Sequence, residues 1–201
     1  MRALPKGVLV AIEGIDGAGK TTQTRVIAER LTAAGLDVVT SKEPTNGPWG
    51  QKIRSWAVDG RKSVREELDA FMADRAEHVS SLIAPALARG AVVILDRYYY
   101  SNAAYQGAAG TSEPAEIVAQ NEAFAPRPDL LVVLDVPVEV GLKRIAQRGD
   151  VANTFETAPA LEACRAIFKT FNGAHALHVD GMRAQADVTA EILAAIPLGT
   201  A

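Results

Sequence analysis

The sequence predicts an α/β fold: a three-layer sandwich with a five-stranded parallel sheet flanked by helices. Three observations carry this. Short β-branched runs alternate with longer segments of helical periodicity along the whole chain. The runs Ala91–Leu95 and Leu130–Leu134 are apolar throughout, as strands covered on both faces must be. The connections are long enough to hold a helix each, which parallel strands require, and such crossovers are right-handed.

In order, Val8–Glu13 is a buried-strand run ending in a glycine-rich turn. Lys20–Ala34 follows as a helix with Val26, Ile27 and Leu31 on one face and Gly35 as its stop. Asp37–Lys42 reads as a second strand, and the turn-rich Pro44–Gly50 as a loop. Gln51–Val58 reads as a short helix ending at Asp59-Gly60. Ser63-Val64-Arg65-Glu66 has the form of a capping box, in which serine and glutamate each serve an unpaired helical N–H. It opens a long helix to about Arg89, with a kink expected at Pro85. Ala91–Leu95 is the third strand, followed by a polar stretch and a helix near Pro114–Phe124. Asp129–Asp135 is the fourth strand, Val138–Arg148 and Pro159–Phe171 are helices, His175–Val179 is a weaker fifth strand, and Ala184–Ile196 closes the chain as a helix.

The 201 residues fit a single domain, 1–201. The longest apolar runs hold five residues, against about 20 for a membrane span, and Val8–Ile12 is too short for a secretory core. The expected setting is cytoplasmic. One cysteine, Cys164, forms no internal disulfide and no zinc cluster, and is expected to pack on a helix face. With 21 basic and 24 acidic residues the net charge is −3, which argues against a nucleic-acid polymer or a membrane surface as partner.

In open parallel sheets, ligands sit beyond the carboxyl ends of the strands. Residues 14–21, 43–50 and 96–107 all follow strands and should converge on one rim. Gly14-Ile15-Asp16-Gly17-Ala18-Gly19-Lys20-Thr21 matches G-x-x-x-x-G-K-[ST], the P-loop, so the expected architecture is the P-loop NTPase fold. Only backbone N–H groups pack donors densely enough around a phosphate, and glycines let the chain curl without blocking the anion. The following helix adds free N–H groups and roughly +0.5 charge at its N-terminus. These residues with Thr22 are the expected ATP-binding set. Lys20 would reach the β- and γ-phosphates, and the Thr21 hydroxyl would hold Mg²⁺ together with Asp96 at the end of the third strand. Arg97 beside it has the planar fork to clamp a second phosphate. No Asn-Lys-x-Asp guanine-reading sequence is present, leaving a small phosphotransferase with an acceptor site.

From Glu13 to about Phe171 the chain resembles the thymidylate kinase (dTMP kinase) family of nucleoside monophosphate kinases. Glu13-Gly14-Ile15-Asp16-Gly17-Ala18-Gly19-Lys20-Thr21-Thr22 looks like its P-loop, with an acid at Asp16 that the resemblance turns toward the acceptor. Lys42-Glu43-Pro44 resembles the family's Arg/Lys-Glu-Pro, and Arg54 matches the arginine that holds the acceptor phosphate. Phe71 and Arg75, four residues apart on one helix face, match the ring that stacks on thymine and the arginine that donates to a base carbonyl. Asp96-Arg97-Tyr98-Tyr99-Tyr100-Ser101-Asn102-Ala103-Ala104-Tyr105-Gln106 resembles Asp-Arg-Tyr…Ser…Ala-Tyr-Gln. By that match Arg97 grips the acceptor phosphate, Ser101 or Asn102 bonds the pyrimidine edge, Tyr105 lies against the sugar and disfavours a 2′-hydroxyl, and Gln106 lines the site. Tyr99 is expected to pack structurally. This P-loop holds no basic side chain between its glycines, so the resemblance assigns the catalytic arginine to a short lid at about 149–158. The expected Asp-Arg-x-Glu is missing there; Arg148 is the first candidate and Arg144 the second. A second departure is Thr45-Asn46-Gly47, where Gly-Gly-Thr is commoner.

The resemblance implies Mg²⁺-dependent transfer of the ATP γ-phosphoryl group to dTMP, giving dTDP and ADP, by Lys20, Arg97, Arg148 and Asp16 in a homodimer. The alternatives are a kinase for another pyrimidine nucleotide or a deoxynucleoside, or a non-catalytic ATP-binding module.

Overall fold

β1 (Val8–Glu13) is buried at every position and lies at the centre of the sheet. The computed structural model describes all residues except 61, 111, 149–156, 200 and 201, and omits the side chains of 57–59 and 148. β2 (Val38–Lys42), β3 (Val92–Asp96), β4 (Leu130–Asp135) and β5 (Ala176–Asp180) complete an all-parallel sheet in the order β2-β3-β1-β4-β5. The fully apolar β3 and β4 flank β1, while the more polar β2 and β5 form the edges and are partly exposed. A strand covered on both faces by helices excludes polar side chains; an edge strand does not.

Register brings the strand ends level: Ile12 lies beside Asp96, and Lys42 beside Asp96. After β1 the chain turns toward β2, whereas after β3 it crosses to β4 on the other side. The crevice between the ends of β1 and β3 is therefore the topological switch point, where such sheets bind ligands.

α1 (Lys20–Ala33) packs on β1, β2 and β3 with α9 (Gln185–Ala195) beside it. α2 (Pro48–Asp59) packs on α3 (Val64–His78), whose capping box is formed as the sequence predicts: the Ser63 side chain accepts from Glu66 N, and Ser63 N donates to the Glu66 carboxylate. α4 (Ala84–Ala88) contacts β3. On the other side α5 (Tyr99–Ala108) packs among α3, α6 (Pro114–Glu122) and α8 (Ala158–Phe168), and α7 (Val138–Arg148) lies against α8.

Two points differ from the sequence reading. Residues 99–108, read only as part of a polar stretch, form a helix; α5 is buried along most of its length, and packing stabilises it. α2 begins at Pro48, three residues earlier than expected, because proline at the first helical position lacks an N–H that would be unpaired anyway. The long helix passes through a π-helical turn, Val79–Ile83, just ahead of Pro85, whose missing N–H breaks the regular i→i−4 ladder there. Cys164 is buried within the core, as expected.

Candidate active site

The loop after β1 curls around a hollow. Gly14, Gly17 and Gly19 all take positive φ, and a Cβ on Gly17 would lie 2.3 Å from the Gly141 carbonyl oxygen, so α7 can approach the loop only because both residues are glycine. Ile15 and Ala18 point into the core, leaving backbone to face the hollow. Lys20 Nζ donates to the carbonyl oxygens of Gly14 and Ile15 at 3.0 and 2.8 Å. Burial, reinforced by Arg97, lowers its pKa to about 8 against the pull of Asp16, Asp96 and Glu13. Thr21 Oγ1 donates to Asp96 Oδ2 at 2.5 Å. A cleft of about 540 Å³ opens over this loop, lined also by Thr22, Lys42, Arg54, Arg97, Arg144 and Gln147.

A second cavity of about 180 Å³ adjoins it, lined among others by Phe71, Arg75, Asn102, Tyr105 and Gln106. Asp16, Glu43, Pro44 and Arg97 line both, so these four residues stand where the cavities meet. Arg97 has the left-handed φ of 73°, pairs with Asp16 and donates to Ser101 Oγ at 3.3 Å. The Tyr105 hydroxyl donates to the other Asp16 oxygen at 2.9 Å. Both Asp16 oxygens are thereby held at the junction of the two cavities. A glycine-rich loop over a cleft thus adjoins a small cavity with an aromatic ring and a buried arginine.

The thymidylate kinase family model matches residues 12–192. The chain belongs to the thymidylate kinase family. It is 60% identical over 164 residues to a thymidylate kinase of Xanthomonas campestris pv. campestris (strain B100), covering 82% of this chain and 71% of that one. Against those of Xanthomonas euvesicatoria pv. vesicatoria (strain 85-10) and Xylella fastidiosa (strain M23), the identities are 59% over 164 residues and 57% over 165. Each covers 82% of this chain, with 72% and 75% of the relative. As a thymidylate kinase, the chain is an ATP-dependent phosphotransferase.

Of the ten residues expected at the acceptor nucleotide, nine line the smaller cavity of the kinase. Arg54 is the exception: it is exposed, lines the larger cleft, and donates to the carbonyl oxygens of Pro44 and Thr45 at 3.0 and 2.6 Å. Glu43 and Ser101 are committed to protein groups other than the cavity's own side chains as well. Glu43 Oε2 accepts from Arg75 Nε at 2.9 Å and from its terminal nitrogen at 2.5 Å, while Oε1 lies 3.0 Å from His78 Nδ1. Ser101 spends its only hydroxyl proton on Glu13 at 2.6 Å. Asn102, by contrast, accepts from Arg75 at 2.6 Å and donates to Gln106 at 3.1 Å, within the cavity. The side chain of Arg148 and residues 149–156 of the expected lid lie outside the described residues. Arg144 bonds the carbonyl oxygens of Gly17 and Gly181 at 3.2 and 3.3 Å and lines the cleft.

Sequence reasoning passed over several groups. Glu13, fully buried, accepts from the backbone of Tyr98 and Ser101. Asn121, on α6 and fully buried, accepts from Arg75 at 2.5 Å, and His78 joins Glu43 to Ser41. Glu13 stands inside the matched motif, where its acidity was a signal; Asn121 lies 46 positions from Arg75 and carries none. A third cavity of about 270 Å³, on the far flank of the phosphate loop, is lined by Gly19, Thr22, Arg144, Gly181 and Arg183 among others.

Thr21 and Asp96 are hard oxygen donors side by side at the rim of the cleft. Mg²⁺ is commonly held by one or two protein groups with substrate phosphates completing its shell, so this pair fits it.

Proposed function

We propose that the kinase binds ATP phosphates in the loop 14–22 and dTMP in the smaller cavity, and moves the γ-phosphoryl group between them across the Arg97–Asp16 junction. One observation carries the reading: Arg97 and Asp16 line both cavities, so one cation and one acid face donor and acceptor at once. The adenosine end of ATP is assigned to the third cavity, which shares Gly19, Thr22 and Arg144 with the cleft.

Both substrates are anions, so catalysis rests on positioning and charge neutralisation. Lys20 exchanges its two loop carbonyls for phosphate oxygens. Arg97 holds the acceptor phosphate, with Arg54 at the outer wall of the cleft. Arg144 serves the transferring group, since it reaches the loop from α7. Thr21 and Asp96 would hold Mg²⁺, which would supply neutralisation of phosphate charge. Phe71 supplies the face on which the base stacks. Asn102 reads its edge and Arg75 its carbonyl. Tyr105, its hydroxyl tied to Asp16, stands against the sugar. The acceptor oxygen is already ionised, so no general base is needed. The lone buried thiol of Cys164 suits the reducing cytoplasm as the compartment, and a homodimer is the proposed assembly.

The test is ADP release with ATP and Mg²⁺ against a panel of nucleoside monophosphates and thymidine. Turnover with dTMP is expected, and turnover with thymidine instead would overturn the acceptor assignment. Arg97→Ala should lose on the order of 10²–10³-fold in kcat/KM for dTMP, with folding checked by circular dichroism. Near-normal turnover in the folded variant would sink the clamp.

A further inference from the structure

Arg97 is a non-glycine residue in the left-handed region, a strained conformation that persists only where the surroundings over-determine it. Its own N–H is taken by the Ile12 carbonyl at 3.0 Å. The next N–H, of Tyr98, is taken by the Glu13 carboxylate at 2.7 Å. The same oxygen accepts from Ser101 N at 3.1 Å, and the other accepts the Ser101 hydroxyl at 2.6 Å. Ser101 Oγ, its proton committed to Glu13, presents lone pairs to the Arg97 guanidinium at 3.3 Å. Glu13 itself is immobile: it ends the central strand, is fully buried, and pairs in register with Val133 of β4. The charges facing it are Arg97 and Lys20.

We propose that Glu13 is a positioning residue for the acceptor phosphate, holding Arg97 in place through the backbone of Tyr98 and the hydroxyl of Ser101. A chain of bonds thus runs from the rigid centre of the sheet through Ser101 to the cation at the junction. It links the strand that starts the donor loop to the helix that builds the acceptor cavity. The same chain makes Ser101 a support for Arg97 and leaves reading of the base to Asn102. The inference rests on the reading of Arg97 as the phosphate clamp.

Glu13→Gln separates the parts of this arrangement. The glutamine carbonyl keeps the two backbone N–H bonds, but its amide nitrogen donates and cannot accept the Ser101 proton. Ser101 Oγ is then turned away from Arg97. Affinities for dTMP and for thymidine, measured by calorimetry on the full chain, differ only in the phosphate that Arg97 holds. Glu13→Gln and Ser101→Ala should each weaken dTMP about tenfold, a loss of roughly one charge-assisted hydrogen bond, and leave thymidine within about twofold of wild type. Combining them should be no worse than either alone, since both break one chain. Unchanged dTMP affinity, an equal loss for thymidine, or full additivity would overturn the proposal. Should Glu13→Gln fail to fold, Ser101→Ala decides on the same dTMP and thymidine criteria. Arg97→Ala run beside them separates the two claims. If it leaves dTMP affinity intact, the clamp reading fails; if it alone weakens dTMP, only the role of Glu13 fails.

Discussion

Arg75 is almost wholly buried, and four of its donor contacts go to Glu43, Asn102 and Asn121. A buried cation is tolerable only when paired and hydrogen-bonded, so each partner carries part of the desolvation cost. Asn121→Ala leaves one guanidinium N–H facing a void and should destabilise the fold by about 1–3 kcal/mol in urea unfolding. The affinity for dTMP should fall with it. Glu13 is another of the buried ionisable groups. Burial outweighs the hydrogen bonds from Ser101 and Tyr98 and the attraction of Arg97 and Lys20, and raises its carboxyl from 4.5 to about 7. Between these values the folded state keeps a proton that the unfolded state has lost, so this group's contribution to stability falls as pH rises through that window. The unfolding free energy of Glu13→Gln relative to wild type should therefore grow between about pH 5 and pH 7. A difference that is flat or shrinks with pH would contradict the assigned cause.

Among elements, the contact that matters most to the donor side is α7 against the phosphate loop. A Cβ on Gly141 would lie 2.6 Å from the Asp16 carbonyl oxygen, inside any real contact distance. The obstacle is backbone on both sides, so neither partner yields cheaply. Gly141→Ala should push α7 outward, lift Arg144 off Gly17, and raise KM for ATP more than KM for dTMP. Thermal unfolding measured alongside should show a loss of a few degrees. α5 shows the limit of local reading. Three consecutive tyrosines and a polar tail carry little helical signal, yet Tyr98 and Tyr99 are fully buried. Tyr99 packs structurally as expected, its hydroxyl donating to Glu122 at 2.9 Å. Helix formation there is driven by burial against α6 and α8, which no window of sequence displays.

At the scale of the molecule, a chain of net charge −3 gathers Lys20, Lys42, Arg54, Arg97 and Arg144 around one cleft against Asp16, Glu43 and Asp96. The cleft is positive within an acidic average, which suits two polyanionic substrates and no extended polymer. The proposed homodimer predicts a solution mass near twice the 21.3 kDa chain by light scattering. A single species at the monomer mass across the assay range would count against it.

By itself the sequence determined the alternating architecture, the sheet's buried centre and the phosphate loop, while nine of the residues that line the smaller cavity came from the family resemblance. The first three are legible because each depends on local chemistry: apolar runs that demand two covered faces, and glycines that permit positive φ. Tertiary structure alone decided what those residues bond. It engaged both oxygens of Glu43 with Arg75 and His78, spent the Ser101 proton on Glu13, brought Asn121 to Arg75 and turned residues 99–108 into a helix. The reason is burial. Once water is excluded, every donor must find an acceptor among groups that the fold, and not the chain order, has made neighbours.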